Sequence, residues 1–368
     1  HIVSPTILRE YDIRGIVGVT RNEDDAYALG RSYAALAKEE GAKRIAVGRD
    51  GRTHSGMLEA ALIRGLTEGA IDVMEVGMGP SPMLYFATHY LDVDGGIQVT
   101  GSHNPADYNG FKMLLKGRSV FGQEIQAIGH RAARGDWTSG NGTVEEVDIR
   151  EAYVNRLLEG FSGNAFRIGW DAGNGAAGPI LDMMVERLPG HQHVIFSQVD
   201  GTFPNHHPDP TVEKNLADLK ALVEREQLDF GIAFDGDGDR IGAVDGKGRV
   251  IWGDQLLMIL AEPVLKEQPG ATIIADVKAS QVLFDHVAEL GGKPLMWKTG
   301  HSLIKSKMKE TKSPLAGEMS GHIFFADRYY GYDDALYVGV RFLGLAARST
   351  VSVAVIRDSL PHMVNTPE

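Results

Sequence analysis

One arrangement recurs three times along the chain and limits its fold more than any other feature. An apolar strand ends at or just before an aspartate. A polar turn and a helix-length stretch follow, and a later apolar strand ends in a distinctive loop. The first copy starts at Arg44-Ile45-Ala46-Val47-Gly48-Arg49-Asp50-Gly51-Arg52 and leads through Gly96-Ile97-Gln98-Val99 to Thr100-Gly101-Ser102-His103-Asn104-Pro105. The second starts at Arg167-Ile168-Gly169-Trp170-Asp171 and leads through Phe230-Gly231-Ile232-Ala233-Phe234 to Asp235-Gly236-Asp237-Gly238-Asp239-Arg240. The third starts at Thr272-Ile273-Ile274-Ala275-Asp276 and leads through Pro314-Leu315-Ala316 to Gly317-Glu318-Met319-Ser320-Gly321-His322. Identity between the copies is slight, so the repeat is one of pattern. Strands alternating with helix-length segments define α/β units, whose ligands bind beyond the C-terminal ends of the strands. All three loops lie at such ends and are expected to meet in one cleft.

A chain of 368 residues is too long for one ordinary core, so two or three domains are expected. A loop-like stretch over 135–148 marks the first boundary. The hairpin-like Asp245-Gly246-Lys247-Gly248 marks the second, near 250. The domains are therefore 1–148 with the Ser102 loop, 149–250 with the Asp235 loop and 251–364 with the Glu318 loop. Apolar residues at helical spacing predict helices over 24–38, 58–66, 180–188 and 216–223.

The balance of 43% hydrophobic and 23% charged residues is that of a soluble globular protein. No apolar run is long enough to span a bilayer, and no signal peptide opens the chain. His1 in place of Met points to a tag remnant or a processed chain. The absence of cysteine excludes disulfides and thiolate metal sites. A cytoplasmic setting is expected, in which the Asn141-Gly142-Thr143 sequon has no role. The net charge of −12 argues against nucleic acid, though basic residues can still converge on an anionic substrate. Neither a membrane nor a second chain is called for, and a monomer is the expectation.

The loops carry the chemistry. The turn after Val99 lifts one hydroxyl, Ser102, from a strand end and flanks it with the imidazole of His103 and the amide of Asn104. A reactive serine fits this setting, as does an ordinary helix N-cap. Asp235, Asp237 and Asp239 alternate with glycines, so in an extended loop their carboxylates share a face and converge on one hard cation. Three like charges this close repel one another unless an ion joins them. An EF-hand does not fit, because Arg240 stands where its loop glycine belongs and Gly246 where its bidentate glutamate belongs. Oxygen-only ligands favour Mg²⁺ or Ca²⁺ over zinc. Arg14, Lys112, Arg240, Lys278 and His301 each sit in or beside a turn, and as a set they suit a phosphate. Lys112 or His322 would suit proton transfer at a sugar hydroxyl.

Two other motifs offer competing readings. Gly173-Asn174-Gly175-Ala176-Ala177-Gly178 matches G-x-G-x-x-G between a strand and a helix, and Asp200 ends the next apolar stretch, where a ribose-binding acid would sit. That is the mark of a dinucleotide-dependent oxidoreductase, but it leaves the three loops unexplained. The same glycines also serve helix–strand packing in any α/β unit. The His206-His207 pair among Pro204, Pro208 and Pro210 reads as a structured loop rather than a metal site.

Thr-Gly-Ser-His-Asn-Pro, Asp-Gly-Asp-Gly-Asp-Arg and Gly-Glu-Met-Ser-Gly-His, in this order, resemble the α-D-phosphohexomutase superfamily, in particular its bacterial phosphomannomutase/phosphoglucomutase branch. The resemblance runs from Tyr11 to the C-terminus. It implies three similar α/β domains with mixed sheets around a central cleft. It also implies interconversion of hexose 1-phosphate and 6-phosphate through a phosphoserine and a hexose 1,6-bisphosphate, with glucose 1,6-bisphosphate as activator. The phosphoserine then falls on Ser102 and the Mg²⁺ ligands on Asp235, Asp237 and Asp239, with the serine phosphate completing the site. Arg14 and Lys112 match the acid/base pair, with His322 and His103 beside the chemistry. Tyr11, Arg240, Lys278, His301, Glu318 and Ser320 match substrate-binding positions. The family carries a fourth, phosphate-clamping domain. Residues 365–368 resemble the hinge into it, so weak substrate binding and an impaired cycle are expected. Phosphoglucosamine mutase is the rival within the family, and a non-catalytic sugar-phosphate-binding module the rival outside enzymes.

Overall fold

The computed structural model describes residues 1–20 and 22–362; the hinge-like 365–368 lie outside the described residues. Three mixed sheets are built along the chain. The first contains β1 (Ile13–Ile16), β2 (Arg44–Arg49), β3 (Asp72–Met78), β4 (Gly95–Val99), β5 (Tyr108–Leu115), β6 (Arg118–Ser119) and β7 (Val144–Glu146). Its order is β1-β5-β4-β2-β3-β7, with β6 on β5. The second contains β8 (Phe166–Asp171), β9 (Gly190–Ile195), β10 (Phe230–Phe234), β11 (Ile241–Asp245) and β12 (Val250–Ile251), in the order β12-β11-β10-β8-β9. The third contains β13 (Thr272–Asp276), β14 (Lys293–Trp297), β15 (Leu315–Gly317) and β16 (Ile323–Phe325), in the order β14-β13-β15-β16.

The repeat read from sequence is a repeat of topology. In each sheet the strand leading to the aspartate (β2, β8, β13) lies between two parallel neighbours, and the strand leading to the distinctive loop (β4, β10, β15) is one of them. The loop then returns the chain into an antiparallel strand (β5, β11, β16). Each distinctive loop is thus a turn between adjacent paired strands, which fixes both of its ends. Every residue of β4, β10 and β11 is buried, so these strands read as continuous apolar runs.

Local signals account for most elements. Asn22 caps the helix Glu23–Glu39 through a reciprocal capping box with Asp25. Ile45, Val47, Leu58, Leu62, Leu66, Ile97 and Phe111 belong to the core of the first sheet. The helix expected over 180–188 spans Gly178–Val185, three residues short at its C-terminal end. Part of the expected loop over 135–148 is β7, an exposed edge strand paired with β3. Its three residues are too few to show alternation.

The chain forms two compact units. One is His1–Asn155 with Asn174–Ile180 and Gln198–His207; the other is Arg156–Gly173, Leu181–Ser197 and the chain from Pro208 onward. The glycine-rich 173–178 stretch therefore straddles the two. Its Asn174 donates to Gln198 O at 2.9 Å and accepts from the Asp200 amide at 3.0 Å. The Asp200 carboxylate closes a turn on the amide and hydroxyl of Thr202, so the acid proposed for a ribose is committed locally. His206 donates from Nδ1 to the His207 carbonyl at 2.8 Å, as expected of a structured loop. Among the described residues, no helix is long and apolar enough to cross a membrane.

One buried acid carries a stability prediction. Glu59, on the helix Ser55–Glu68, has a side chain only 4% exposed and lies 3.4 Å from Arg49 Nη1. Burial, reinforced by a hydrogen bond with Glu75, pushes its carboxyl up to about 8. Between the unfolded carboxylate range and that value, the folded chain holds a proton that the unfolded chain releases. Stability therefore falls as pH rises through this window and levels off above it. Glu59→Gln is expected to melt several degrees above the parent at pH 8 and level with it near pH 4; an equal gap at both pH values would overturn this.

Candidate active site

The Ser102 loop belongs to the first compact unit. Ser102 is buried and holds φ at +55°, a left-handed conformation that costs a non-glycine residue about 1–2 kcal/mol. Its amide donates to Thr100 Oγ1 at 2.9 Å. Its Oγ lies 3.3 Å from His103 Nδ1 and 3.5 Å from Lys112 Nζ. Lys112 is delivered by β5, where it pairs with Gln98 of β4, and it is buried. Arg14, on β1, donates to Asp12 and to Asn104 Oδ1, so it is tied to the serine loop. Tyr11 packs near Phe121, with ring centroids 6.4 Å apart. The structure thus brings Ser102, His103, Lys112 and Arg14 into one neighbourhood. A serine hydroxyl held among a lysine, a histidine and a nearby guanidinium is set up to carry an anionic group.

The second unit brings the other two loops together. Asp235, Asp237 and Asp239 are fully buried, and each offers a carboxylate oxygen within 4.8 Å of the others. The Asp235 carboxylate accepts from the amides of Asp239 at 3.1 Å and Arg240 at 3.2 Å, which curls the loop around it. Buried oxygen-only donors of this charge fit a hard divalent cation. Arg240 braces this loop against the next: Nε donates to Ser320 O at 2.5 Å, Nη2 to Thr211 Oγ1 at 3.2 Å, and Nη1 lies 3.4 Å from Asp209. The Ile241 amide also donates to Gly321 O at 3.0 Å. Arg240, expected as a substrate ligand, also braces the Asp235 loop against the Glu318 loop.

His322 is the junction of the second unit. Its Nδ1 is 2.9 Å from Ser320 Oγ and 3.4 Å from Glu318, while its Nε2 is 3.6 Å from Asp239 and 3.7 Å from Asp333. Burial alone would lower its imidazole, but the carboxylates of Asp239, Glu318 and Asp333 outweigh this and raise it to about 9. A cation on the triad opposes that rise. Glu318 also accepts from the Gly300 amide at 2.8 Å, which sets it beside His301 at the start of the helix His301–Thr311. The His301 and His322 rings are 5.9 Å apart. Asp276, at the end of β13, accepts from the Met319 amide and the Thr299 hydroxyl. Burial raises its carboxyl, and the Lys278 charge opposes this. Lys278 itself is exposed.

Two residues of this network were not singled out from sequence. Lys305 Nζ lies 3.1 Å from Asp333 Oδ1; Asp333 is buried against His322, and Lys305 is half-buried. Asp333 sits among four tyrosines at positions 329, 330, 332 and 337, and no spacing marks it out.

A strand-end serine beside cations in the first unit, and buried aspartates joined to a carboxylate–serine–histidine loop in the second, are each the kind of group that phosphoryl transfer to a hydroxyl uses. Comparison with known proteins narrows this. Models of phosphoglucomutase/phosphomannomutase α/β/α domains I, II and III match residues 5–139, 151–248 and 252–364. A phosphomannomutase/phosphoglucomutase of Pseudomonas aeruginosa is 44% identical over 364 residues, 99% of this chain and 79% of that protein. A phosphoglucomutase of Neisseria meningitidis is 44% identical over 369 residues, all of this chain and 80% of that protein. A solved phosphoglucomutase/phosphomannomutase family protein from Burkholderia thailandensis superposes with a TM-score of 0.96 at 44% identity, covering all of this chain and 82% of that one. The chain belongs to the phosphoglucomutase/phosphomannomutase family of intramolecular phosphotransferases, which are metal-dependent phosphohexomutases.

Proposed function

We propose that the chain interconverts the 1-phosphate and 6-phosphate of glucose and mannose, with Ser102 as phosphoryl carrier and Mg²⁺ on Asp235, Asp237 and Asp239. The observation that carries this reading is the junction at His322, where the aspartate loop and the Glu318–Ser320 loop are bonded together.

In this reading the serine phosphate's bond to Oγ breaks as a new phosphorus–oxygen bond forms to the free hydroxyl of a hexose phosphate, giving the 1,6-bisphosphate. The hydroxyl proton passes to a nearby base, and Arg14 and Lys112 are assigned to that exchange and to the charge around Ser102. The bisphosphate turns over, and Ser102 Oγ takes the other phosphoryl group back. Glu318 and Ser320 hold sugar hydroxyls in either orientation, and Tyr11, Lys278 and His301 contact substrate. His103 and His322 tune the charge around the reacting groups, while Arg240 acts through the loops it joins. Bound Mg²⁺ would draw charge from the transferring phosphoryl group. Glucose 1,6-bisphosphate serves as activator by charging Ser102. A monomer in the cytoplasm, where hexose phosphates are made and used, belongs to the same proposal.

Intact mass with peptide mapping, before and after glucose 1,6-bisphosphate, tests it directly. One added phosphate on Ser102 is expected, with turnover of glucose and mannose 1-phosphates above that of glucosamine 1-phosphate. A Ser102 that cannot be charged in the presence of Mg²⁺ would overturn the reading, and preference for the amino sugar would move it to phosphoglucosamine mutase.

A further inference from the structure

We propose that Arg52 is the positioning residue of the Ser102 loop, holding the serine in its left-handed conformation from beneath. The proposal rests on the reading of Ser102 as the phosphoryl carrier. The Arg52 side chain is 1% exposed. Its Nη2 donates to the carbonyls of Ser102 at 3.0 Å and Asn104 at 2.7 Å. Its Nη1 donates to those of Pro105 at 2.5 Å and Tyr108 at 3.2 Å. One guanidinium thus gathers four carbonyls across seven residues of the loop.

Asp50 completes the clamp from the other side. Its Oδ2 accepts from the Thr100 hydroxyl at 2.7 Å and the Gly101 amide at 3.1 Å. Its Oδ1 accepts from the Arg52 amide at 3.1 Å and the Ser55 hydroxyl at 2.5 Å. Arg52 Nε lies 3.3 Å from the same carboxylate. The pair is neutral as a whole, so it acts on Ser102 through backbone geometry rather than as a bare charge. Gly101 shows how close the fit is, because a Cβ there would come within 2.3 Å of Arg52 Nε. Lysine cannot substitute: it has three donors on one atom, where this loop uses a planar fork.

The clamp has a roof from far along the chain. The Phe203 ring lies over the Arg52 guanidinium, 5.1 Å from its centroid, and belongs to the Gln198–His207 segment of the same compact unit. A Cβ on Gly51 would meet Val199 Cγ1 at 2.0 Å, and one on Gly201 would meet the Thr53 amide at 2.6 Å. Both glycines are thus required for that segment to close over the 50–53 turn.

Phosphoryl transfer depends on in-line placement of the serine oxygen, and a displacement of about 1 Å costs roughly 10²-fold in rate. Arg52→Lys is therefore expected to lower kcat for glucose 1-phosphate about 100-fold with KM within about two-fold. The ³¹P resonance of phosphorylated Ser102 should broaden or shift while far-UV circular dichroism stays that of the parent. Phe203→Leu keeps every hydrogen bond of the clamp and should lower kcat by about ten-fold, and it carries the test if Arg52→Lys does not fold. A kcat per folded molecule equal to the parent's, with an unchanged ³¹P signal, would overturn the positioning role. If the parent chain itself never carries phosphate on Ser102, it is the proposed carrier that fails, and the two failures are told apart by the parent's mass.

Discussion

Ser102→Ala is expected to lower mutase kcat by at least about 10⁴-fold, because the hydroxyl that accepts and returns the phosphoryl group is gone and no neighbouring group replaces it. Lys112, on β5, and His103, beside the serine in the same loop, lie within hydrogen-bond reach of Ser102 Oγ, but neither gives a stable phosphate carrier at that position. Substrate affinity, measured by binding of glucose 1-phosphate, should change little. Ser102→Gly separates the chemistry from backbone strain. At φ +55° a glycine is relieved of the Cβ clash, so this variant should be as inactive as the alanine variant yet melt at or above the parent temperature. Retention of turnover within ten-fold of the parent by either variant would remove Ser102 from the mechanism.

Stripping divalent cations should abolish turnover, and Mg²⁺ should restore it. The structural counterpart is a change in stability. Three buried carboxylates with oxygens within 4.8 Å of one another repel in the metal-free chain, and a bound cation turns that repulsion into attraction. A cation present at 100 times its Kd stabilises the folded chain by about 2.7 kcal/mol, so Mg²⁺ should raise the melting temperature by a few degrees. Asp237→Asn should lose both the activity and the Mg²⁺-dependent rise. Without metal it should melt no lower than the parent, since one of the three like charges is gone. A Mg²⁺-dependent rise in Asp237→Asn as large as the parent's would show that the cation binds elsewhere. A metal-free variant melting well below the parent would mean that Asp237 holds the loop by hydrogen bonding rather than serving a cation.

The candidate loops were legible because the chemistry proposed for them is written into local residue type and spacing. Alternation of aspartate and glycine over 235–239 places three carboxylates together within one turn, so no distant contact is needed to recognise a cation site. Strand patterning located β4, β10 and β15 because fully buried strands read as continuous apolar runs. The antiparallel return of the third loop was less visible, since β16 has only three residues. The G-x-G-x-x-G match was the weaker reading for the opposite reason. Its glycines answer a local geometric need, while Asp200, which would have had to reach a ligand, spends its carboxylate on Thr202 two residues away.

The sequence by itself determined the three α/β units and the order of their loops, and it singled out Ser102, the aspartate triad, Glu318 and His322 as candidates, because each is marked within a few neighbouring residues. Only the tertiary structure decided which side chains hold those groups in place. Arg240 reaches Ser320, eighty residues away. Lys305 and Asp333 back His322, and Arg52 reaches the Ser102 loop fifty residues on, with Phe203 above it. Such contacts join residues far apart in sequence through burial and directional hydrogen bonds. A buried cation or carboxylate finds its partner only once the strands have brought the two together.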